Sequence, residues 1–194
     1  MIDPENITNF NRTEEELQEF ALFSVIAAGK TASIQALKLH EFLTAPKNHV
    51  LPFRYIRCLM DFGVLRGALL QCKMGQYARI ESAFEGLVLA DDMYGLANMD
   101  IPKFDAIGGI GPKTARFFLL HSREGFECAV LDVHILKWLR EIGYDAPQQT
   151  PQNVDRYRRL EKIFLKECRK REKTPAEWDL ELWTRYSRKV KRAA

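Results

Sequence analysis

Apolar residues recur along this chain at spacings of three and four, and sustained strand-like alternation is nearly absent. Thr13 followed by Glu14, Glu15 and Glu16 is an N-cap with a capping-box glutamate, and it predicts a helix through about Ala28. Residues 31–43 carry apolar side chains at Ile34, Leu37, Leu39, Phe42 and Leu43 and end before Pro46. Between these two stretches Gly29 breaks the pattern, and Thr31 is placed to cap the second of them. Pro52 opens a segment to about Leu65 that reads as helical despite Gly63. Residues 75–80 lead into a further apolar-periodic run, and 93–99 form another short turn or helix. Residues 143–153, GYDAPQQTPQN, are the most linker-like stretch. Beyond it, 154–173 and 175–191 read as two basic, aromatic-bearing helices, the second capped by Thr174 with Pro175 at its first position. Many short helices with brief loops and no visible internal repeat predict an all-α fold.

Composition allows a real core and excludes a disordered or low-complexity chain: 46% of the 194 residues are apolar and 28% charged. No apolar run approaches the ~20 residues of a bilayer span, and the acidic amino terminus lacks the basic and apolar regions of a secretion signal. The expectation is a soluble, cytoplasmic, nucleoid-associated protein. Four cysteines, Cys58, Cys72, Cys128 and Cys168, lie at intervals of 14, 56 and 40 residues with no CxxC pair, which argues against zinc, an iron–sulfur cluster or a disulfide framework. The net charge is only +3, yet residues 151–194 hold 14 Lys and Arg against 7 Asp and Glu. A basic end on a near-neutral body suits a phosphate-rich partner, and it equally suits a solvated helical face with intrahelical ion pairs.

The segment richest in chemistry is 101–139, with GGIGPKTA at its centre. Gly108, Gly109 and Gly111 make a turn whose amides can face outward, Ile110 tucks it against its flanking helices, and Pro112 starts a helix whose first amides are unpaired. This is a helix-hairpin-helix pattern, over about 101–124, of the kind that grips DNA backbone through Gly109 and Gly111. It is neither a GxxxxGKT phosphate loop nor a GxGxxG dinucleotide turn. Lys113 falls in the first turn of the helix, where the dipole disfavours an ammonium, and the neutral amine is a nucleophile. The plainer role for Lys113 is a phosphate contact. Asp132, 19 residues on, stands between an extended run (128–131) and a helical one (133–139), which is an N-cap position. A carboxylate there can simply cap, or it can stabilise positive charge developing on a sugar ring.

With Lys113 and Asp132 at this spacing, the segment resembles the helix-hairpin-helix, Gly/Pro-Asp superfamily of DNA glycosylases, which includes endonuclease III and the 8-oxoguanine DNA glycosylases. The likeness covers the hairpin to Leu139 and, more weakly, residues 17–43, where FALFSVIAAGKTAS is similar to the helix and turn near the family's base pocket. Lysine at position 113 implies the bifunctional branch, glycosylase with β-lyase. The missing cysteine cluster departs from endonuclease III and shifts the resemblance to the 8-oxoguanine branch, where the short chain is most similar to the compact archaeal-type enzymes.

The resemblance implies two helical lobes around a cleft, one made of residues 1–30 and 140–194 and the other of 31–139. Phe117 lies four residues after Lys113, and Trp183 four after Asp179, so each pair shares a helical face. The two aromatics are candidates to sandwich an extruded purine while Asp179 accepts its Watson–Crick N–H donors. Both rings are equally readable as core. A backbone carbonyl from Ala28 to Lys30, with Gly29 at its centre, is a candidate acceptor for the N7–H of an oxidised purine. Lys30 is a phosphate ligand or a surface charge, and His134 resembles a family position on the DNA backbone or is an ordinary surface histidine.

The expectation is therefore a monomeric enzyme acting on double-stranded DNA that carries an oxidised purine. The family mechanism implies no metal or organic cofactor, with hairpin carbonyls as candidate ligands of a structural monovalent cation. Two other readings are a pyrimidine-lesion glycosylase of endonuclease III type without its cluster, and a non-catalytic helix-hairpin-helix binding module.

Overall fold

The structure is a computed structural model that describes residues 1–193, with side chains through Tyr186. Among these residues there are ten α-helices, one short 3-10 turn and no strand. The helices are α1 (Glu14–Ile26), α2 (Ala32–Leu43), α3 (Pro52–Asp61), α4 (Leu65–Gln71), α5 (Tyr77–Tyr94), α6 (Ile101–Asp105), α7 (Pro112–Ser122), α8 (Val133–Glu141), α9 (Val154–Lys170) and α10 (Pro175–Ala193). None of them is long and apolar enough to cross a membrane.

Local signals place the helix starts well. Thr13 and Glu16 close a reciprocal capping box on α1, with the Glu16 amide donating to Thr13 Oγ1 at 3.3 Å and the Thr13 amide to Glu16 Oε2 at 2.8 Å. Thr174 and Glu177 repeat the arrangement at α10. Asn153 caps α9 by accepting from the Arg156 amide at 2.9 Å. Thr31 occupies the cap position of α2, although its hydroxyl makes no capping bond.

The segment expected to run from Pro52 to Leu65 is two helices. Gly63 takes φ 66° and ends the first, so Leu65 begins α4 instead of closing α3. The run after residue 75 is longer than its pattern suggests: α5 extends to Tyr94, and only Leu96–Asn98 form a separate turn.

Two cores result. The first gathers Ile7 and buried residues of α1 through α7, from Phe20 to Leu119. Phe20 to Ile26 of α1 are all buried, which makes α1 the central helix of this lobe, packed on α7, α2, α5 and α3. α1 thus shares its core with α2, α3, α5 and α7, whereas α9 and α10 belong to the second. The second core runs from Ala129 to Tyr186 over α8, α9 and α10. Trp138 is its hub, edge-on to Phe164 at 6.0 Å and to Trp178 at 5.3 Å.

The lobes are joined by polar bonds around an extended run before α8. Arg116 of α7 donates to Glu161 of α9 at 2.8 Å, and the same glutamate oxygen accepts from the Ala129 amide at 3.0 Å. The Tyr157 hydroxyl donates to the Ala129 carbonyl at 2.7 Å and accepts from the Leu131 amide at 3.1 Å. The linker-like stretch 143–153 is in fact packed: Ala146 and Pro151 are buried, and Thr150 donates to the Leu131 carbonyl at 2.8 Å.

Candidate active site

Where the two lobes meet, a cavity of about 540 Å³ opens. Lys113 and Phe117 of α7, Asp132 and His134 at the start of α8, and Asp179 and Trp183 of α10 line it, together with Ala28, Gly29 and Lys30 after α1. Residues expected from separate parts of the chain thus face one space. The hairpin glycines stand outside it, on the adjoining turn.

That turn is locked to α5. Gly109 has φ 81°, and a Cβ on it would lie 2.3 Å from the Arg79 carbonyl, so only glycine fits. Arg79 in return donates to the Gly109 carbonyl at 3.0 Å and to the Val25 carbonyl at 2.9 Å. Ile110 is buried, as a residue that anchors the turn should be. The Ile107 carbonyl accepts from the Ile110 amide at 3.2 Å, closing the turn. Gly111 occupies the N-cap of α7 with no side chain capping it, which leaves the first amides of that helix open to an anion. Lys113 follows in the first turn, half-buried against the cavity.

Asp132 is the N-cap of α8, with Oδ1 accepting from the amides of His134 and Ile135 at 2.9 Å each. Both capping bonds use one oxygen, so Oδ2 takes no part in the cap. Burial pushes the carboxyl up from its ordinary range, the neighbouring Asp179 adds to this, and Lys113 opposes it. The two residues expected to carry chemistry are therefore close enough to influence each other.

Phe117 is not plain core. It is half-buried on the cavity wall, with its ring edge-on to His121 at 5.1 Å and packed on Phe20 at 5.7 Å. Trp183 is likewise half-buried at the cavity. Asp179 is only 7% exposed, and its Oδ2 lies 3.1 Å from His121 Nε2. His134 stacks parallel to Tyr186 at 6.0 Å. The Lys30 ammonium is tied to the carbonyls of Met74 and Gly75, and burial, with Arg79 nearby, lowers its pKa.

Sequence reasoning missed His121, Thr8 and Arg79. His121 was within reach, since Lys113, Phe117 and His121 continue one face at spacings of four. Thr8 and Arg79 carry no local signal, because their partners are 113 and 30 residues away. Of the cysteines, Cys72, Cys128 and Cys168 are buried and Cys58 is exposed, and burial pushes the Cys168 thiol up to about 12.

This all-helical fold is that of archaeal and bacterial 8-oxoguanine DNA glycosylases of known structure. The chain superposes on the Methanocaldococcus jannaschii 8-oxoguanine glycosylase/lyase, crystallised with a 15mer DNA containing 8-oxoguanine, with a TM-score of 0.67 and 21% identity over 91% of this chain and 83% of that one. The 8-oxoguanine DNA glycosylase of Thermotoga maritima gives a TM-score of 0.67 and 22% identity over 94% of this chain and 86% of that one. A second Methanocaldococcus jannaschii structure gives 0.63 and 20% over 94% and 84%. No family model matches the sequence.

Proposed function

We propose that this protein is a DNA glycosylase with AP lyase activity that removes 8-oxoguanine from duplex DNA. The observation that carries the reading is the convergence of Lys113, Asp132, Phe117, Asp179 and Trp183 on one interlobe cavity. An amine, a carboxylate, two aromatic surfaces and a polar acceptor are what removal of an extruded purine requires. The fold of the DNA glycosylases named above supports it.

In this reading the hairpin amides at Gly109 and Gly111, with Lys30 and His134 on the rim, hold the backbone of a bent duplex while the damaged base enters the cavity. Phe117 and Trp183 stack on the base. Asp179 accepts from its Watson–Crick edge, and a carbonyl of the Ala28–Lys30 turn accepts from N7–H. The unprotonated Lys113 amine attacks C1′ as the glycosidic bond breaks and its electron pair leaves with the base. Asp132 stabilises the positive charge that develops on the sugar during that step. Loss of a proton from the nitrogen and opening of the sugar ring give an imine. Removal of a C2′ proton then breaks the C3′–O bond, nicking the strand on the 3′ side of the lesion.

Borohydride trapping tests this directly. Protein is incubated with duplexes containing 8-oxoguanine, uracil, thymine glycol or an abasic site. A covalent adduct on the 8-oxoguanine duplex that is lost in Lys113→Gln supports both substrate and nucleophile. Trapping on thymine glycol instead points to a pyrimidine-lesion enzyme, and no adduct on any duplex points to a binding module.

A further inference from the structure

The amino-terminal residues ahead of α1, which include a turn closed by the Asn6 amide on the Asp3 carbonyl, form a strap against α7. The Asn9 amide donates to the His121 carbonyl at 3.1 Å, and Arg12 Nη1 donates to the same carbonyl at 2.7 Å. Arg12 also lies 3.8 Å above the Phe20 ring, and burial lowers its pKa to about 10. Pro4 and Ile7 of the strap reach the cavity itself. The strap is thus fastened to one residue of α7, His121, through that residue's backbone.

The side chain of His121 continues the connection. Its ring is fully buried, with Nδ1 2.8 Å from Thr8 Oγ1 and Nε2 3.1 Å from Asp179 Oδ2. A carboxylate only accepts, so Nε2 carries the proton on that side. In the neutral ring Nδ1 is then the acceptor, and the Thr8 hydroxyl donates to it. Each of the three groups has one role that fits the other two, and the chain of bonds runs from the strap to the cavity wall.

Asp179 sits on α10 and His121 on α7, so this contact crosses between the lobes. Without it, the carboxylate would be free to turn about its side-chain bonds. With Oδ2 held by His121, Oδ1 has a fixed direction. The Phe117 ring, edge-on to the same imidazole, is placed by the same contact.

We infer that Thr8 and His121 form a positioning relay that orients Asp179, so that the amino-terminal strap sets how strictly the cavity selects a purine bearing N1–H and a 2-amino group. This rests on the reading of the cavity as a base pocket. His121 and Thr8 act through Asp179 and touch no reacting atom. Their loss therefore shows in the choice of base more than in the chemistry at the sugar.

The test has two arms, both on the intact 194-residue chain. In the first, single-turnover excision is compared for 8-oxoguanine and for 8-oxohypoxanthine, which lacks the 2-amino group, alongside lyase activity on an abasic duplex. Wild type should prefer 8-oxoguanine. In His121→Phe that preference should fall about tenfold, with a smaller fall in Thr8→Val, and His121→Gln, which can donate to Asp179 and accept from Thr8, should restore most of it. Equal losses on both bases and on the abasic duplex would assign His121 a purely structural role and overturn the relay.

The second arm needs no substrate. Nitrogen-15 spectra of the free protein should place the His121 proton on Nε2, and Thr8→Val should move only the Nδ1 resonance toward that of an unbonded acceptor. A proton on Nδ1 of the neutral ring overturns the relay whatever the enzyme acts on. A correct tautomer in a protein that excises neither base would retain the relay and reject the proposed substrate.

Discussion

Arg79 donates to the Gly109 carbonyl at 3.0 Å, while a Cβ added to Gly109 would fall 2.3 Å from the Arg79 carbonyl. The side chain of one residue and the backbone of the other thus hold the hairpin against α5 from two directions. Gly109→Ala should cost about 2 kcal/mol, from strain at a positive φ and from displacement of the turn. Urea denaturation would measure the loss, and duplex affinity should weaken with it. Unchanged stability would mean that α5 yields easily, so that the hairpin is not fixed before DNA arrives.

Lys113→Gln should abolish strand nicking and borohydride trapping while leaving duplex binding within about threefold. In the proposed reading, loss of one charge removes only a small share of the affinity for duplex DNA. The check is a gel-shift titration beside the nicking assay. Retained nicking would place the nucleophile elsewhere.

Asp132 carries two duties that substitution can separate. Asn keeps the capping oxygen for the His134 and Ile135 amides but removes the charge, so Asp132→Asn should slow base excision by about a hundredfold or more without loss of thermal stability. Ala removes the cap as well and should cost about 1 kcal/mol in addition. Melting temperatures and single-turnover rates on both variants suffice. A near-normal rate in the Asn variant would reduce Asp132 to a cap.

The same carboxyl sets a pH dependence. Burial lifts its pKa in the folded protein. A raised carboxyl favours folding where it is protonated, and that advantage disappears as pH rises through the folded value. Wild type should therefore lose stability relative to Asp132→Asn as pH rises above about 4, the ordinary aspartate value. Excision should meanwhile fall on the acid side at a higher pH than an ordinary carboxylate would give. Urea midpoints of both proteins across pH 4 to 8 would show the divergence, and parallel curves would contradict it.

Glu161 accepts from Arg116 and from the Ala129 amide, and the Arg116 side chain is only 5% exposed. Glu161→Leu strands a buried guanidinium and an amide together, with an expected loss of about 3 kcal/mol. Chemical denaturation would measure it. A loss below about 1 kcal/mol, the scale of an exposed pair, would mean that water reaches Arg116.

What could be read from the sequence tracked the range of the interactions. The capping boxes at Thr13 and Thr174 and the hairpin from Gly108 to Pro112 are each settled within a few residues, and they appear where their spacing places them. The i to i+4 pairs Lys113 with Phe117 and Asp179 with Trp183 reach the cavity for the same reason. The division between α3 and α4 was missed because an apolar pattern can run through a glycine whose φ it does not reveal. That α1 is buried is legible in its run of apolar residues, whereas the helices that enclose it are not. Thr8, His121 and Asp179 meet only after three distant segments fold together, and no spacing announces that.

The extended run before Asp132 has no sheet neighbour among the described residues, and its backbone groups bond instead to Tyr157 and Glu161 of α9 and to Thr150. Neither side chain is among those lining the cavity. Yet Tyr157 holds the peptide units that deliver the Asp132 carboxylate, so Tyr157→Phe would loosen the aim of a group it never touches. In a screen scored by activity alone, this tyrosine would sort with the positions that line the cavity. Its distance from the cavity would be visible only to someone who also weighed the folded protein.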